Sequence, residues 1–224
     1  LNTGLKKNET MARECGTRIE DVEQYVKARG VQSMLDSVIE AGKRASVIVG
    51  NMLNFSRRSD SSKRPVDVAE LLEKTLELAS TDYNLKRKYD FKRIAIERQY
   101  DPETPKAMCD PGGMQQVFLN ILKNGADAMA EKEYESGSPV FSLSVSPDKG
   151  QVRIDIRDNG PGLNPDQERR VFEPFFTTKE VGVGTGLGLS VSYFIVTEGQ
   201  KGTMTVQSSQ GQWTCFTIHL PRSD

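Results

Sequence analysis

Polar side chains recur at helical spacing in the middle of this chain. At about 100° per residue, one face of a predicted helix carries Gln116, Asn120, Lys123, Asn124 and Asp127. Asparagine is a poor helix former, so two asparagines one turn apart favour a ligand-binding face, although a solvated polar face is the alternative. Asparagine oxygens suit Mg²⁺, which takes few protein ligands together with waters and phosphate oxygens. A lysine beside them would meet phosphate charge.

A second chemical feature follows a predicted strand at 152–157, which runs into Asp158-Asn159-Gly160-Pro161-Gly162. A carboxylate at the end of a buried strand would accept a hydrogen bond from an exocyclic amine such as that of adenine. Glycines beside it would let a flat base approach the backbone. The alternative is a hairpin, because such turns join strands well. However, Asn164-Pro165-Asp166 opens a helix rather than a returning strand.

A third feature is the glycine-rich run 182–188, which has neither the Lys-Ser/Thr of a Walker A loop nor the spacing of G-x-G-x-x-G. A loop entering a helix at about Gly188 would offer free amides to a triphosphate, unless it is only a flexible linker. Ahead of it, three aromatic residues lie in a loop region: Phe172, Phe175 and Phe176. They would anchor a mobile lid or form a satellite core cluster, and the two interpretations are compatible.

The elements that must position these residues follow from hydrophobic periodicity. Helices are predicted at 68–80, 111–132, 165–171 and 188–197, and strands near 93–99, 141–146, 151–157, 202–207 and 213–220. Asp110-Pro111 is a sound helix start, with the acid as N-cap. This mixture predicts an α/β two-layer sandwich, with helices on one face of a mixed sheet.

The first part of the chain has a different pattern. Residues 1–25 are polar with little periodicity, whereas a wide apolar stripe at four-three spacing runs from Val31 to Phe55. Such a stripe is typical of a bundle helix that needs a partner helix, or else of an ordinary core helix. We therefore predict a helical region at 1–60, a linker at 61–66 and a second domain at 67–224.

Composition narrows the possible functions. Acidic and basic residues nearly cancel, 31 against 30, so no basic excess favours a nucleic-acid partner. The three cysteines have no metal-like spacing, which favours reduced thiols in a cytosolic setting. We find no membrane span or signal peptide. Since Leu1 is not an initiator methionine, we expect a longer parent protein.

The motifs in their order resemble the conserved boxes of sensor histidine kinases. Similar segments are the N box at 115–129, the G1 box at 158–162, the F box at 172–179, the G2 box at 184–189 and the closing strand at 212–221. Residues 39–58 resemble the second helix of the dimerisation and phosphotransfer hairpin. The resemblance covers about residues 66–222 and implies the Bergerat ATP-binding fold, preceded by a helical hairpin segment.

The resemblance also implies cofactors and roles. ATP and Mg²⁺ would bind, with Asn124 as the metal ligand and Asn120 nearby. Lys123 would contact phosphates, and Asp158 would read the adenine amine with water-mediated support from Thr214. The full set of implied nucleotide-binding residues is Asn120, Lys123, Asn124, Asp127, Asp158, Gly160, Gly162, Thr177, Lys179, Gly184, Gly186, Leu187, Gly188 and Thr214, of which Asn120 and Lys123 would be catalytic.

The implied reaction moves the ATP γ-phosphoryl group to a histidine and then to an aspartate on a response-regulator receiver domain. The implied assembly is a homodimer, and the domain is cytoplasmic; kinases of this type are commonly anchored in the inner membrane through other regions. The single histidine, His219, lies on the closing strand without the family's phosphoacceptor context. We therefore expect the acceptor histidine to lie outside these residues.

Two other interpretations remain. ATP-hydrolysing relatives such as gyrase B, mismatch-repair ATPases and heat-shock chaperones carry a glutamate four residues before the metal-binding asparagine, where this chain has Asn120. An amide cannot act as a general base, which disfavours an ATPase. A non-catalytic dimerising scaffold is the third class. Gly125 departs from the alanine usual in the family, at an expected cost of roughly 0.5–1 kcal/mol of helix stability.

Overall fold

The computed structural model describes residues 6–39, 41–42, 63–83, 91–134, 137–179 and 185–223. The chain divides into two compact units, Leu1–Gly50 and Asn51–Asp224. The division falls within residues 43–62, which lie outside the described ranges. The predicted boundary between a helical region and a second domain therefore stays a prediction.

The first unit is helical wherever it is described. Its helices are α1 (Lys6–Glu14), α2 (Ile19–Ala28) and α3, which covers 31–39 and 41–42. Helix thus forms even in the first 25 residues, where the sequence shows little periodicity. The apolar stripe of α3 is exposed at Met34, Leu35, Val38 and Ile39, so its partner remains a prediction. Among the described residues, none of the helices combines the length and apolar composition that a bilayer crossing needs.

The second unit contains seven strands and four α-helices in its described parts. The strands are β1 (Arg64–Val66), β2 (Ala95–Tyr100), β3 (Ala107–Cys109), β4 (Val140–Asp148), β5 (Gln151–Asp158), β6 (Thr203–Ser209) and β7 (Trp213–Pro221). The helices are α4 (Val68–Tyr83), α5 (Pro111–Ala130), α6 (Pro165–Arg170) and α7 (Gly188–Phe194). A 3₁₀ turn at Phe91–Arg93 precedes β2, and a π-helical turn at Ile195–Gly199 continues α7.

The main sheet has the strand order β2-β4-β5-β7-β6. β2 pairs with β4 in parallel and every other pair is antiparallel. Helix α5 packs against β5, α4 and α7, and one continuous apolar core fills the space between the layers. The predicted two-layer sandwich with a mixed sheet is confirmed.

A small second sheet was not predicted. β1 pairs antiparallel with β3, so that Pro65 lies opposite Met108. The last three residues of the predicted linker at 61–66, Arg64–Val66, thus form a short strand. Both strands are only three residues long, too short for a period-two pattern to stand out.

Side-chain alternation turns Asp158 toward the helices. Along β5 the residues Ile154, Ile156 and Asp158 are buried, whereas their neighbours are at least partly exposed. Successive side chains of a strand point to opposite faces. The carboxylate therefore continues the row of core side chains and lies between the sheet and the helix layer.

Helix α5 begins where the sequence predicts. The Asp110 side chain caps it by accepting hydrogen bonds from the amides of Gly112 and Gly113, which supplies partners for two otherwise unpaired amides. The buried Gln200 accepts a further hydrogen bond from the Asp110 amide at 2.9 Å. The start of α5 is thus fastened to the turn after α7.

Gly125 has a packing role that its helix propensity does not reveal. A Cβ at this position would lie 2.6 Å from Cε1 of Phe141 and 3.3 Å from Cβ of Asp158. Phe141 is fully buried at the start of β4, directly opposite Asp158 in the sheet. The expected small cost to helix stability stays a prediction, and the structure shows in addition that the missing side chain makes room for the Phe141 ring.

We predict that Gly125→Ala destabilises the domain although alanine is the better helix former. Overpacking against Phe141 should lower the free energy of unfolding by about 1–3 kcal/mol, measured by urea denaturation. Gly112→Ala is the matched control on the same helix, because its Cβ would meet Asp110 at an ordinary 3.7 Å. A Gly125→Ala protein as stable as its parent would show that Phe141 moves aside freely.

Candidate functional site

A cleft of about 520 Å³ opens between α5 and the loops that precede α6 and α7. Most of the predicted site residues line it. The lining residues that matter below are Asn120, Lys123, Asn124, Asp127, Asp158, Thr177, Lys179, Gly186, Gly188 and Thr214. The structure therefore brings together residues that are almost a hundred positions apart in the sequence.

One end of the cleft is built by the ends of three strands. Asp158 pairs with Phe141 of β4 on one side and with Thr214 of β7 on the other. Asp158 and Thr214 are both buried, with 4% and 7% of their surfaces exposed. Thr214 lies 3.3 Å from the Ser208 hydroxyl, which donates to the Trp213 carbonyl. A carboxylate and a hydroxyl thus share a mostly apolar recess.

Burial dominates the electrostatics of Asp158. It raises the pKa of this carboxyl to about 6, against the opposing effects of the Gly160 amide and of the positive charges of Lys132 and Arg157. The Gly160 N–H donates to Oδ1 of Asp158 at 2.9 Å. A hydrogen-bond donor that enters the recess would therefore meet an acceptor whose charge has little access to water.

The two glycines after Asp158, Gly160 and Gly162, allow close backbone packing of the loop. Gly162 has φ +66°, and a Cβ there would lie 2.2 Å from the Ser209 carbonyl oxygen. A Cβ on Gly160 would lie 2.7 Å from Oδ1 of Asp158. Neither glycine lines the cleft. The close approach of a base to this backbone stays a prediction, and the structure shows in addition that Gly162 lets the loop approach the β6–β7 turn.

At the opposite end the two asparagines of α5 face the start of α7. Asn120 Nδ2 donates to the Gly188 carbonyl and to the Ser192 hydroxyl, each at 3.2 Å. A Cβ on Gly188 would come within 3.9 Å of Asn124. Asn120 therefore ties α5 to α7, a role for its amide nitrogen that the sequence pattern did not indicate.

An ion pair links the loop that follows α6 to the polar face of α5. Lys179 Nζ lies 2.5 Å from Oδ2 of Asp127, and both side chains are largely shielded from solvent. Thr177 accepts a hydrogen bond from the Lys179 amide at 3.1 Å. Asp127, which the sequence placed on the polar face of α5, thus forms an ion pair with the segment that resembles the F box.

The aromatic segment is partly core and partly surface. Phe172 packs between Tyr193 and Phe216, with ring centroids 4.9 Å and 6.2 Å away. Phe175 is 52% exposed and has φ +69°, which is unusual for a bulky residue. Its amide donates to the Gly186 carbonyl at 2.9 Å. The segment is therefore anchored in the core and joined to the end of the glycine-rich run, just before α7.

Gly186 is the glycine that this junction requires. It has φ +64°, and a Cβ there would lie 2.4 Å from the Phe175 carbonyl carbon. Leu187 is buried and does not line the cleft. Gly184 lies outside the described residues, so its predicted role stays a prediction.

The donor set of the cleft fits a magnesium–phosphate group better than a protein-caged metal. Among the described residues, no cluster of three or more His, Cys, Asp and Glu side chains could hold an ion. Asn124 offers a neutral oxygen, and Asp127 lies one turn further along the same helix face. Mg²⁺ that keeps waters and phosphate oxygens needs few protein ligands.

Two contributors to the site were missed. Lys132 contacts the loop after Asp158, and Ser192 meets Asn120. A lysine just after a helix is usually a solvated residue, and a serine one turn into a helix carries no chemical signal of its own. Neither sequence position indicated a role.

Comparisons with known proteins agree on one family. The profile described as "Histidine kinase-, DNA gyrase B-, and HSP90-like ATPase" matches residues 109–224. Sporulation kinase E of Bacillus subtilis (strain 168) is 34% identical over 80% of this chain and 22% of that protein. Sensor histidine kinase ZraS of Escherichia coli (strain K12) is 32% identical over 80% of this chain and 35% of that protein.

A solved structure extends the likeness. Full-length ShkA in complex with AMPPNP superposes with a TM-score of 0.61 and 28% identity, over 86% of this chain and 39% of that one. The chain therefore spans well under half the length of these relatives.

We predict that the buried charge of Asp158 lowers stability as pH rises from about 4 to 6. Its unfolded pKa is near 3.8 and its folded pKa is about 6, so the unfolded state releases its proton first as pH rises. The contribution of Asp158 to stability is highest below about pH 4 and falls as pH rises through about 6. Relative to Asp158→Asn, the parent should lose on the order of 2–3 kcal/mol between about pH 4 and 8.

Urea unfolding of both proteins at each pH checks this, because the other titrating groups cancel in the difference. A constant difference between parent and variant across that range would mean that the carboxyl titrates normally.

Proposed function

The chain belongs to the family of histidine kinase-, DNA gyrase B- and HSP90-like ATPases, and we propose that its cleft binds ATP with Mg²⁺ for transfer of the γ-phosphoryl group to a histidine. The observation that carries this proposal is the buried Asp158 carboxylate, which shares one cleft with the amide and ammonium face of α5. A base at one end and phosphates at the other would match the two kinds of chemistry that the cleft offers. The similar protein ShkA has been solved with AMPPNP, which supports a nucleotide ligand.

At the base end, Asp158 accepts the hydrogen bond of an exocyclic amine, and Thr214 supports the base beside it. Asp158 and Thr214 are buried in a mostly apolar recess, so a hydrogen bond to the carboxylate there discriminates strongly between donors and acceptors. Adenine presents a donor at this edge, whereas a 6-oxo purine presents an acceptor. The site therefore prefers adenine.

At the phosphate end, Asn124 would hold Mg²⁺ through its side-chain oxygen and Lys123 would meet the phosphate charge. The ion would supply positive charge that offsets the negative charge of the phosphates. Gly186 and Gly188 bring bare backbone to the same end of the cleft. Lys179 reaches this region from its ion pair with Asp127.

The geometry at Asn120 favours transfer over hydrolysis. An ATPase of this family would need a general base at this position to activate water. Asn120 is an amide whose nitrogen already donates to Gly188 and Ser192, so it takes no proton. Its role is to hold α7 against α5 while a separate nucleophile attacks.

His219 does not serve as that nucleophile. It lies five residues beyond Thr214 on β7 and on the opposite face of the sheet, roughly 17 Å away at about 3.3 Å per residue. Its ring is also engaged, because Nε2 lies 3.1 Å from Oδ2 of Asp148. We therefore expect the phosphoacceptor histidine to lie outside these 224 residues.

The relatives support a wider role that belongs to the whole protein. As in two-component systems, we expect the phosphoryl group to pass to an aspartate on a response-regulator receiver domain. We further expect a homodimer, with the exposed apolar stripe of α3 among the paired surfaces, and a cytoplasmic position for this domain. Because the chain spans a minor part of its relatives' length, all of these are proposals.

We predict that the protein binds Mg·ATP and that Asp158→Asn weakens binding at least about tenfold, since a buried acceptor for the amine is altered. Isothermal titration with ATP and Mg²⁺ measures both affinities. Asp155→Asn is the matched control, because Asp155 lies on the same strand but pairs with Arg153 and Thr217 on the other face. Absence of ATP binding by the parent would favour the non-catalytic scaffold.

We predict that these 224 residues neither label themselves with the γ-phosphate of ATP nor turn ATP over at steady state. Radiolabelled ATP followed by acid treatment tests the first expectation, since phosphohistidine is acid-labile. A phosphate-release assay tests the second. Acid-labile labelling would locate an acceptor within the chain, and sustained phosphate release would favour the ATPase alternative.

A further inference from the structure

One side chain fastens the loop that follows Asp158. Lys132 lies two residues past the end of α5, and its Nζ donates to the carbonyls of Asn159 at 2.8 Å, Gly160 at 3.0 Å and Gln212 at 3.4 Å. An ammonium has three donors, so three carbonyls can use them. The end of α5 is thereby tied both to this loop and to the β6–β7 turn.

The Asn159–Gly160 peptide connects this ammonium to the carboxylate. The C=O and N–H groups of a trans peptide point in opposite directions. Here the Asn159 carbonyl accepts from Lys132, and the Gly160 N–H at the other end of the same peptide donates to Oδ1 of Asp158 at 2.9 Å. Fixing the carbonyl therefore fixes the direction of the N–H that orients Asp158.

The same chain of groups carries charge effects. Hydrogen bonds in series polarise one another, so an ammonium on the carbonyl makes the N–H a better donor to the carboxylate. Lys132 is also the first of the two positive charges, with Arg157 of β5, that lower the pKa of Asp158 against its burial. Orientation and ionisation of the carboxylate thus respond to one lysine.

Lys132 is held in place by groups away from the cleft. Its Nζ lies 5.2 Å from the centre of the Tyr134 ring, and the Tyr134 hydroxyl donates to Oδ1 of Asn159 at 3.1 Å. Asn159 in turn accepts from the Val140 amide at 2.9 Å. Lys132 does not line the cleft, so any effect on a ligand must pass through Asp158 and its loop.

We propose that Lys132 is a positioning residue for the base-reading carboxylate, acting through the Asn159–Gly160 peptide to aim Asp158 at the amine of a bound base. This inference rests on the proposed function, because it takes Asp158 as the group that meets the base. A purely structural clamp would affect stability alone. A positioning residue also changes how Asp158 titrates and which base the cleft prefers.

The first test needs no nucleotide. Carbon NMR follows the Asp158 carboxyl during a pH titration of the parent, Lys132→Met and Lys132→Arg. We expect the midpoint to rise by about half to one pH unit in Lys132→Met and to stay near the parental value in Lys132→Arg. Lys74→Met, on an exposed lysine of α4 that does not line the cleft, is the control and should not change it.

The second test compares ATP with inosine triphosphate, in which a carbonyl replaces the amine. Lys132→Met should weaken ATP about tenfold and inosine triphosphate less than about threefold, and Lys132→Arg should restore most of the ATP affinity. Circular dichroism confirms that each variant is folded, and Lys132→Gln replaces the Met variant if that one is not.

An unchanged Asp158 midpoint without the charge at position 132 would overturn the inference, as would equal losses for the two nucleotides. These outcomes differ from failure of the proposed function, in which the parent itself binds no ATP while the titration still reports on Lys132.

Discussion

The structure depends on keeping a carboxylate between a sheet and its helix layer. Asp158 is almost fully buried, and an ionised carboxylate in such a place is costly unless hydrogen bonds and charges compensate it. The Gly160 amide and the Lys132 ammonium supply part of that compensation. The part of the desolvation cost that they do not offset raises the pKa of Asp158. A hydrogen-bond donor from a ligand would offset more of that cost. The buried Asp158 carboxylate therefore affects both the stability of the domain and its recognition of a ligand.

Helix α5 serves the core and the cleft at once. Its apolar face packs into the interior through residues such as Val117, Phe118 and Ile121, while its polar face lines the cleft. Gly125 lies between the two faces, and its missing side chain lets the Phe141 ring pack against the helix next to Asp158. Through Asn120 the same helix also holds α7. The position of the asparagines is thus set by core packing rather than by the loops.

The parts that the sequence predicted well are those with strong periodicity. The polar face of α5, the five long strands and the buried position of Asp158 follow from periods of 3.6 and 2, and the Asp110 cap follows from local chemistry. The missed features depend on tertiary contacts. The pairing of Arg64–Val66 joins two short segments, the need for glycine at 125 depends on a distant ring, and the contacts of Lys132 bring together residues that no local pattern links.

The alternation of β5 has a further consequence for how such a chain can change over time. Because side chains of a strand switch faces with every residue, inserting or deleting one residue between Val152 and Asp158 would turn the acid outward and push Ile154 or Ile156 into water. Substitutions of one apolar residue by another leave this alternation in place and preserve the recess. A change in the length of the strand by one residue reverses the alternation and destroys the recess. The spacing of this segment is therefore under tighter constraint than the identity of its apolar side chains.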